Sequence, residues 1–80
     1  MKDQHEKISG YRDLSQDEID LMNEIKAQGA ALEALCAKVS ENVKPAFPNS
    51  DCYRWVAIGR TDLQTGIMAL VRAVAQPTTF

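Results

Sequence analysis

The run SQDEIDLMNEIKAQGAALEALCAKVSENV, Ser15 to Val43, decides how this chain folds. It opens on Ser15-Gln16-Asp17-Glu18, an S-x-x-E capping box: the hydroxyl takes the third helical N–H and the carboxylate reaches back to the cap. Leu14 and Ile19 hold the two positions of a hydrophobic staple around it, so a helix starts at Gln16. Behind the cap, Met22, Ile25, Gly29, Leu32, Cys36, Val39 and Val43 recur in alternating steps of three and four, a heptad seam along one face. Pro45 and Pro48 cannot continue a helix and stop it near Val43. The helix therefore covers 16–43, roughly 42 Å at 1.5 Å per residue. Gly29, Ala30, Ala31, Ala34 and Ala37 make its middle thin enough for another backbone to come close, and Gly29 also suits a bend.

Outward from this helix, residues 44–51 form a proline-containing turn in which Asn49, Ser50 or Asp51 can cap the next helix. That second long helix covers 52–76, ended by Pro77. On it Val56, Leu63, Ile67, Leu70 and Val74 make one stripe, while Trp55, Ile58, Thr65 and Met68 lie on a neighbouring face. The connection is short, so the two helices run antiparallel. Residues 1–14 are mixed polar, with a short helix over Asp3 to Ile8 broken by Gly10. The tail 77–80 either folds back onto a groove or hangs free. Residues 1–80 thus read as a single all-α domain: a short N-terminal helix plus two long antiparallel helices.

Two helices make a thin layer, not a closed core. At about 25 cal/mol per Å² of buried apolar surface, a lone hairpin struggles against roughly 1.5 kcal/mol of ordering cost per residue. Self-association supplies the missing burial, so a compact homo-oligomer is expected. The alanine-rich first helix and the second apolar face of the last helix provide the surfaces.

Eighty residues, 45% hydrophobic and 25% charged, describe one small soluble domain. No apolar run is long enough for a leader or a membrane span, and none follows the polar start Met1 to Lys7. Nine Lys and Arg are spread beside eleven acids, for a formal charge of −2, which disfavours a long phosphate backbone as partner. A small anion held by a few converging cations stays open. Cys36 and Cys52 form no C-x-x-C pair, which favours a reducing cytoplasm and two ordinary thiols over a disulfide. His5 is the lone histidine, so a structural zinc site or a His-based dyad lacks ligands. With no nucleophile motif or Gly-rich phosphate loop either, the sequence points to no enzyme, no cofactor and no metal.

Fixed charges on the mostly apolar last helix, Arg60, Asp62 and Arg72, are costly to bury without a partner. Arg60 is followed by Thr61, a guanidinium and a hydroxyl side by side, which suits phosphate oxygens as well as it suits an intersubunit ion pair. Arg72, near the helix end, is placed to satisfy the last carbonyls. Arg12 neighbours Asp13 and can pair with it. Tyr11 follows Gly10, which leaves room for a flat ligand, so its ring either stacks on a base or packs across the fold. Lys26 lies one turn past Met22, displaced from the seam; such lysines are mostly solvated and sometimes hold a ligand. Trp55 and Tyr53 are read as core in preference to base-stacking rings. Asp17, Glu18 and Asp20 belong to the acids favoured at a helix N-terminus, with Asp13 and Glu24 on the same solvated face.

The stretch from Tyr11-Arg12-Asp13-Leu14-Ser15 through Ile19 to Lys26, the block from Arg60-Thr61-Asp62-Leu63 to Arg72 and the ending Gln76-Pro77-Thr78-Thr79-Phe80 together resemble the phage anti-CBASS cyclic-nucleotide sponges. The C-terminal block is the specific part. The resemblance implies a compact hexamer of helical protomers in the host bacterial cytoplasm. It sequesters, without cutting, the cyclic di- and trinucleotide signals of a bacterial defence system. Positions matching Tyr11 and Lys26 hold cyclic dinucleotides at subunit interfaces, the ring stacking on a base and the amine making polar contacts. Some members take cyclic trinucleotides in a separate pocket where three subunits meet, a role the resemblance gives to Arg60, with Thr61 and Arg12 as further candidates. The resemblance offers no motif for segment 44–53, so contacts from that turn stay open. The competing expectation is a small helical-hairpin adaptor or assembly protein whose apolar faces bind another protein.

Overall fold

A computed structural model describes residues 12–80. Two long helices account for most of them: α1, Gln16–Asn42, and α2, Cys52–Ala75, with no strand among the described residues. The expected short helix over 3–8, and Tyr11, lie outside the described residues.

The capping box forms as the sequence requires. Ser15 Oγ accepts from the Glu18 N–H at 3.2 Å, and Glu18 Oε1 accepts from the Ser15 N–H at 2.9 Å. Both helices stop one residue earlier than expected. Val43 is extended and donates to the Val39 carbonyl at 2.9 Å. Gln76 turns left-handed at φ 44° ahead of Pro77, which disfavours the helical conformation in the residue before it. Of the three candidate caps for α2, Asp51 occupies the N-cap position but is left-handed and makes no side-chain capping bond. Ser50 makes the contact instead, its Oγ accepting from the Cys52 N–H at 3.4 Å.

The contacts fix an antiparallel register: Gly29 faces Ile67, Glu33 faces Arg60, and Arg12 reaches Ala75. On α1 the expected seam turns toward α2, with Met22, Ile25, Gly29, Leu32, Cys36 and Val43 half-buried and Val39 somewhat more open. On α2, Val56, Ile67 and Val74 are half-buried as expected, whereas Leu63 and Leu70 are exposed and Gly59 and Val71 take their places. A straight helix of 3.6 residues per turn drifts off a strict seven-residue repeat, and over six turns that drift exchanges 70 for 71. At Gly29 the helices come close together: a Cβ there would stand 3.2 Å from Ile67 Cγ2.

No described residue is fully buried. Trp55 and Tyr53, expected in the core, are 60% and 57% exposed, because they sit off the stripe that meets α1 and one layer of helices has nothing to place over them. Met68, on the same side of the expected second face, is 64% exposed. The hairpin measures only 16 Å along its shortest axis. Neither helix is long and apolar enough to cross a membrane.

Candidate functional site

Small residues at the α1–α2 contact leave a hollow of about 360 Å³ along one face of the hairpin. Its floor is apolar, built from Gly29 and Leu32 of α1 and Leu63 and Ile67 of α2. Its polar lining comes from Lys26 and Glu33 on α1 and Arg60 and Gln64 on α2. Lys26 and Glu33 are seven residues apart, hence on one face and about 10 Å apart along the axis. Arg60 stands opposite Glu33, its Nη2 3.6 Å from Glu33 Oε2. Two cations above an apolar floor form a receptor for an anion with a flat apolar body, a guanidinium offering paired donors to phosphate oxygens and an ammonium a single strong charge. Among the described residues no three of His, Cys, Asp and Glu stand close enough to hold a metal ion.

The sequence candidates are thus partly brought together. Lys26 and Arg60, expected in two different pockets, share this hollow. Thr61 is exposed and does not line it, being a turn of about 100° around the helix from Arg60. Arg60 pairs within its own chain. Glu33 and Gln64 were not singled out by the sequence. Their signal is faint: Glu33 is two turns past Lys26, and residues equidistant from the Pro45–Pro48 turn must face each other in a hairpin.

Arg12 is elsewhere, at the open end of the hairpin. Its Nε donates to the Ala75 carbonyl at 3.0 Å and Nη2 to the Val74 carbonyl at 2.9 Å. Nη1 and Nη2 also grip the two oxygens of Glu18, at 3.2 and 2.6 Å, and Nη1 reaches the Asp13 carbonyl oxygen at 3.2 Å. A guanidinium has five N–H groups, and all five are used. The carboxylate partner is therefore Glu18 and not Asp13, and the last carbonyls of α2 go to Arg12 and not to Arg72. Arg72 instead holds the tail, donating to the carbonyls of Thr79 and Phe80 at 3.0 Å each, so the tail folds back along α2.

This clasp titrates. The Arg12 guanidinium, with help from the Ser15 N–H, holds the Glu18 carboxyl down to about 2 from an ordinary 4.5, and Glu18 in turn raises Arg12. A carboxylate depressed in the fold contributes stability that is present above its ordinary value and lost as pH falls through about 2. The expected result is that wild type exceeds Glu18→Gln in urea-unfolding stability at pH 6, and that the gap narrows between pH 4.5 and 2. A gap that does not change over that range removes the clasp as its source. Both side chains are about one-third exposed, at 33% and 29%, so high salt narrows the gap as well.

With the hollow and clasp defined, comparison with known proteins becomes specific. The sequence profile of the family described as Acb2/Tad1, hairpin domain, matches residues 6–75, which contain both helices. This chain belongs to the Acb2/Tad1 hairpin family. It is also similar to Anti-CBASS protein 2 of Pseudomonas phage JBD67, with 43% identity over a gapped alignment of 105 residues covering 96% of this chain and 97% of that protein. The Acb2/Tad1 match bears out the family likeness read from the residues, and its span includes Tyr11, Arg12, Lys26, Arg60 and Thr61.

Proposed function

We propose that this chain captures cyclic oligonucleotide signals, cyclic dinucleotides foremost, and holds them chemically intact, as a phage counter to CBASS defence in the host cytoplasm. The observation that carries the reading is the hollow in which Lys26 and Arg60 converge over an apolar floor. The name of the 43% identical relative, Anti-CBASS protein 2, gives the biological setting. Lys26 with Tyr11 serves cyclic dinucleotides, with Arg60 reaching the same ligand from across the hollow; Arg60 with Thr61, on the neighbouring face, serves cyclic trinucleotides. Arg12 drops out of the ligand set, because its N–H groups already have partners.

The same reading makes the protein a homo-oligomer, a hexamer by family likeness. Exposed Trp55, Met68 and Leu70 and the lack of any fully buried described residue support assembly.

Capture and cleavage separate in one experiment. A labelled cyclic dinucleotide incubated with the protein, then released by denaturation, is expected to return intact on chromatography; linear product would replace capture with hydrolysis. The exposed aromatic and apolar face also fits an adaptor that binds another protein. That alternative predicts a hetero-complex and no affinity for any cyclic nucleotide in a binding panel.

A further inference from the structure

We propose that Glu33 is the selectivity residue of the Lys26–Arg60 hollow: its carboxylate occupies Arg60 when the hollow is empty and repels anions carrying more charge per phosphate than a cyclic diester. This rests on the capture reading above.

Glu33 lines the same hollow as both cations and comes within 3.6 Å of Arg60. The two side chains are 73% and 56% exposed, so the pair is loose and readily exchanged. It contributes little to holding the helices together; the Arg12 clasp and the Gly29–Ile67 contact do that. What Glu33 does is place one negative charge among two positive ones at a mouth open to water. An incoming phosphate must displace it from Arg60 and then sit beside it.

The penalty depends on the charge of the visitor. Each phosphate of a cyclic diester carries one negative charge. The terminal phosphates of ATP and pyrophosphate ionise a second time near pH 6 and carry close to two at neutral pH. Doubling the charge doubles the Coulomb repulsion from Glu33, which squares its effect on affinity. Discrimination against the abundant nucleoside triphosphates is what a trap for scarce cyclic signals requires, and a repulsive group is the direct way to obtain it.

The test is equilibrium dialysis of the full chain with three probes, a 3′–5′ linked cyclic dinucleotide, ATP and inorganic pyrophosphate. Glu33→Gln is expected to tighten the cyclic dinucleotide by up to about fivefold, the ceiling for releasing an exposed ion pair. For ATP and pyrophosphate the same pair is released and a doubled repulsion is relieved on top of it, so their gain is expected to exceed that of the cyclic dinucleotide. In an Arg60→Gln background the gain for the cyclic dinucleotide should shrink to the small repulsive part, since no pair remains to be broken, while ATP and pyrophosphate keep a larger one. Equal gains for all three probes, or no gain for any, would overturn the role of Glu33 and leave capture standing. Wild type that ignores the cyclic dinucleotide, while Glu33→Gln still strengthens pyrophosphate, would overturn capture and leave a Glu33-controlled anion site. Circular dichroism confirms that each exposed-site variant keeps its helices.

Discussion

Lys26→Ala is expected to remove half or more of the thermal stabilisation that a cyclic dinucleotide gives the wild-type protein. A ligand bound only by the folded state at one hundred times its Kd adds about 2.7 kcal/mol. For a domain of this size that raises the melting midpoint by roughly 10–20 °C. Losing a hydrogen bond to a charged group costs about 1.5–3 kcal/mol, a tenfold to hundredfold weakening. The same ligand concentration then stabilises by roughly 0.4–1.4 kcal/mol. Tyr11→Ala should act similarly through a lost stacking contact of about 1–3 kcal/mol. Lys26 is exposed and makes no hydrogen bond or ion pair among the described residues, so the ligand-free midpoint of Lys26→Ala should match wild type. Scanning calorimetry with and without ligand reads both quantities. A full shift retained by both variants would place the site elsewhere.

Gly29→Leu is expected to force the hairpin apart. Even a Cβ at this position stands 3.2 Å from Ile67 Cγ2, and three further carbons have no room while Ile67 stays where it is. Overpacking of this kind costs about 1–3 kcal/mol, or roughly 5–20 °C in melting midpoint for a chain this short. Gly29→Ala should be close to neutral, because about 1 kcal/mol of gained helix propensity offsets a small movement of Ile67. Gly66 is the informative control, since among the described residues no atom outside its own stretch of helix lies within 4 Å of a Cβ there. Gly66→Ala should therefore stabilise by up to about 1 kcal/mol if that face meets water. A drop in stability at Gly66, together with a smaller mass in sedimentation, would mean that a second copy presses its backbone against α2.

The contrast between those two glycines marks how far the sequence could be read. Local signals carried the helices: the Ser15–Glu18 box, the seam from Met22 to Val43 and the prolines at 45, 48 and 77 each act within a few residues. The seam of α1 was legible because its spacing is the spacing of the contact. On α2 the apolar residues wrap round both faces, so spacing could not tell Leu70 from Val71, and aromatic character favoured Trp55 as core when a single layer leaves it open. The hollow was half legible. Lys26 and Arg60 stood out as isolated cations, but their meeting, and the place of Glu33 between them, depend on a register that no single stretch contains. Arg12 was the least legible. Adjacent Asp13 is an obvious partner on paper, yet the guanidinium bonds carbonyls 62 and 63 residues away, where the end of α2 leaves acceptors without donors.

That clasp has a topological consequence. Arg12 and Ala75 are within one hydrogen bond of each other, so the segment that leads into α1 and the end of α2 lie at the same place. Connectivity through the exposed Pro45–Pro48 turn is then one of two equivalent ways to string the same helices. A chain reordered to start at α2, joined through a flexible bridge to residue 12 and cut at the turn, retains the Gly29–Ile67 contact, the hollow and the clasp. The architecture is in effect a ring of interactions that the polypeptide happens to leave open at Arg12.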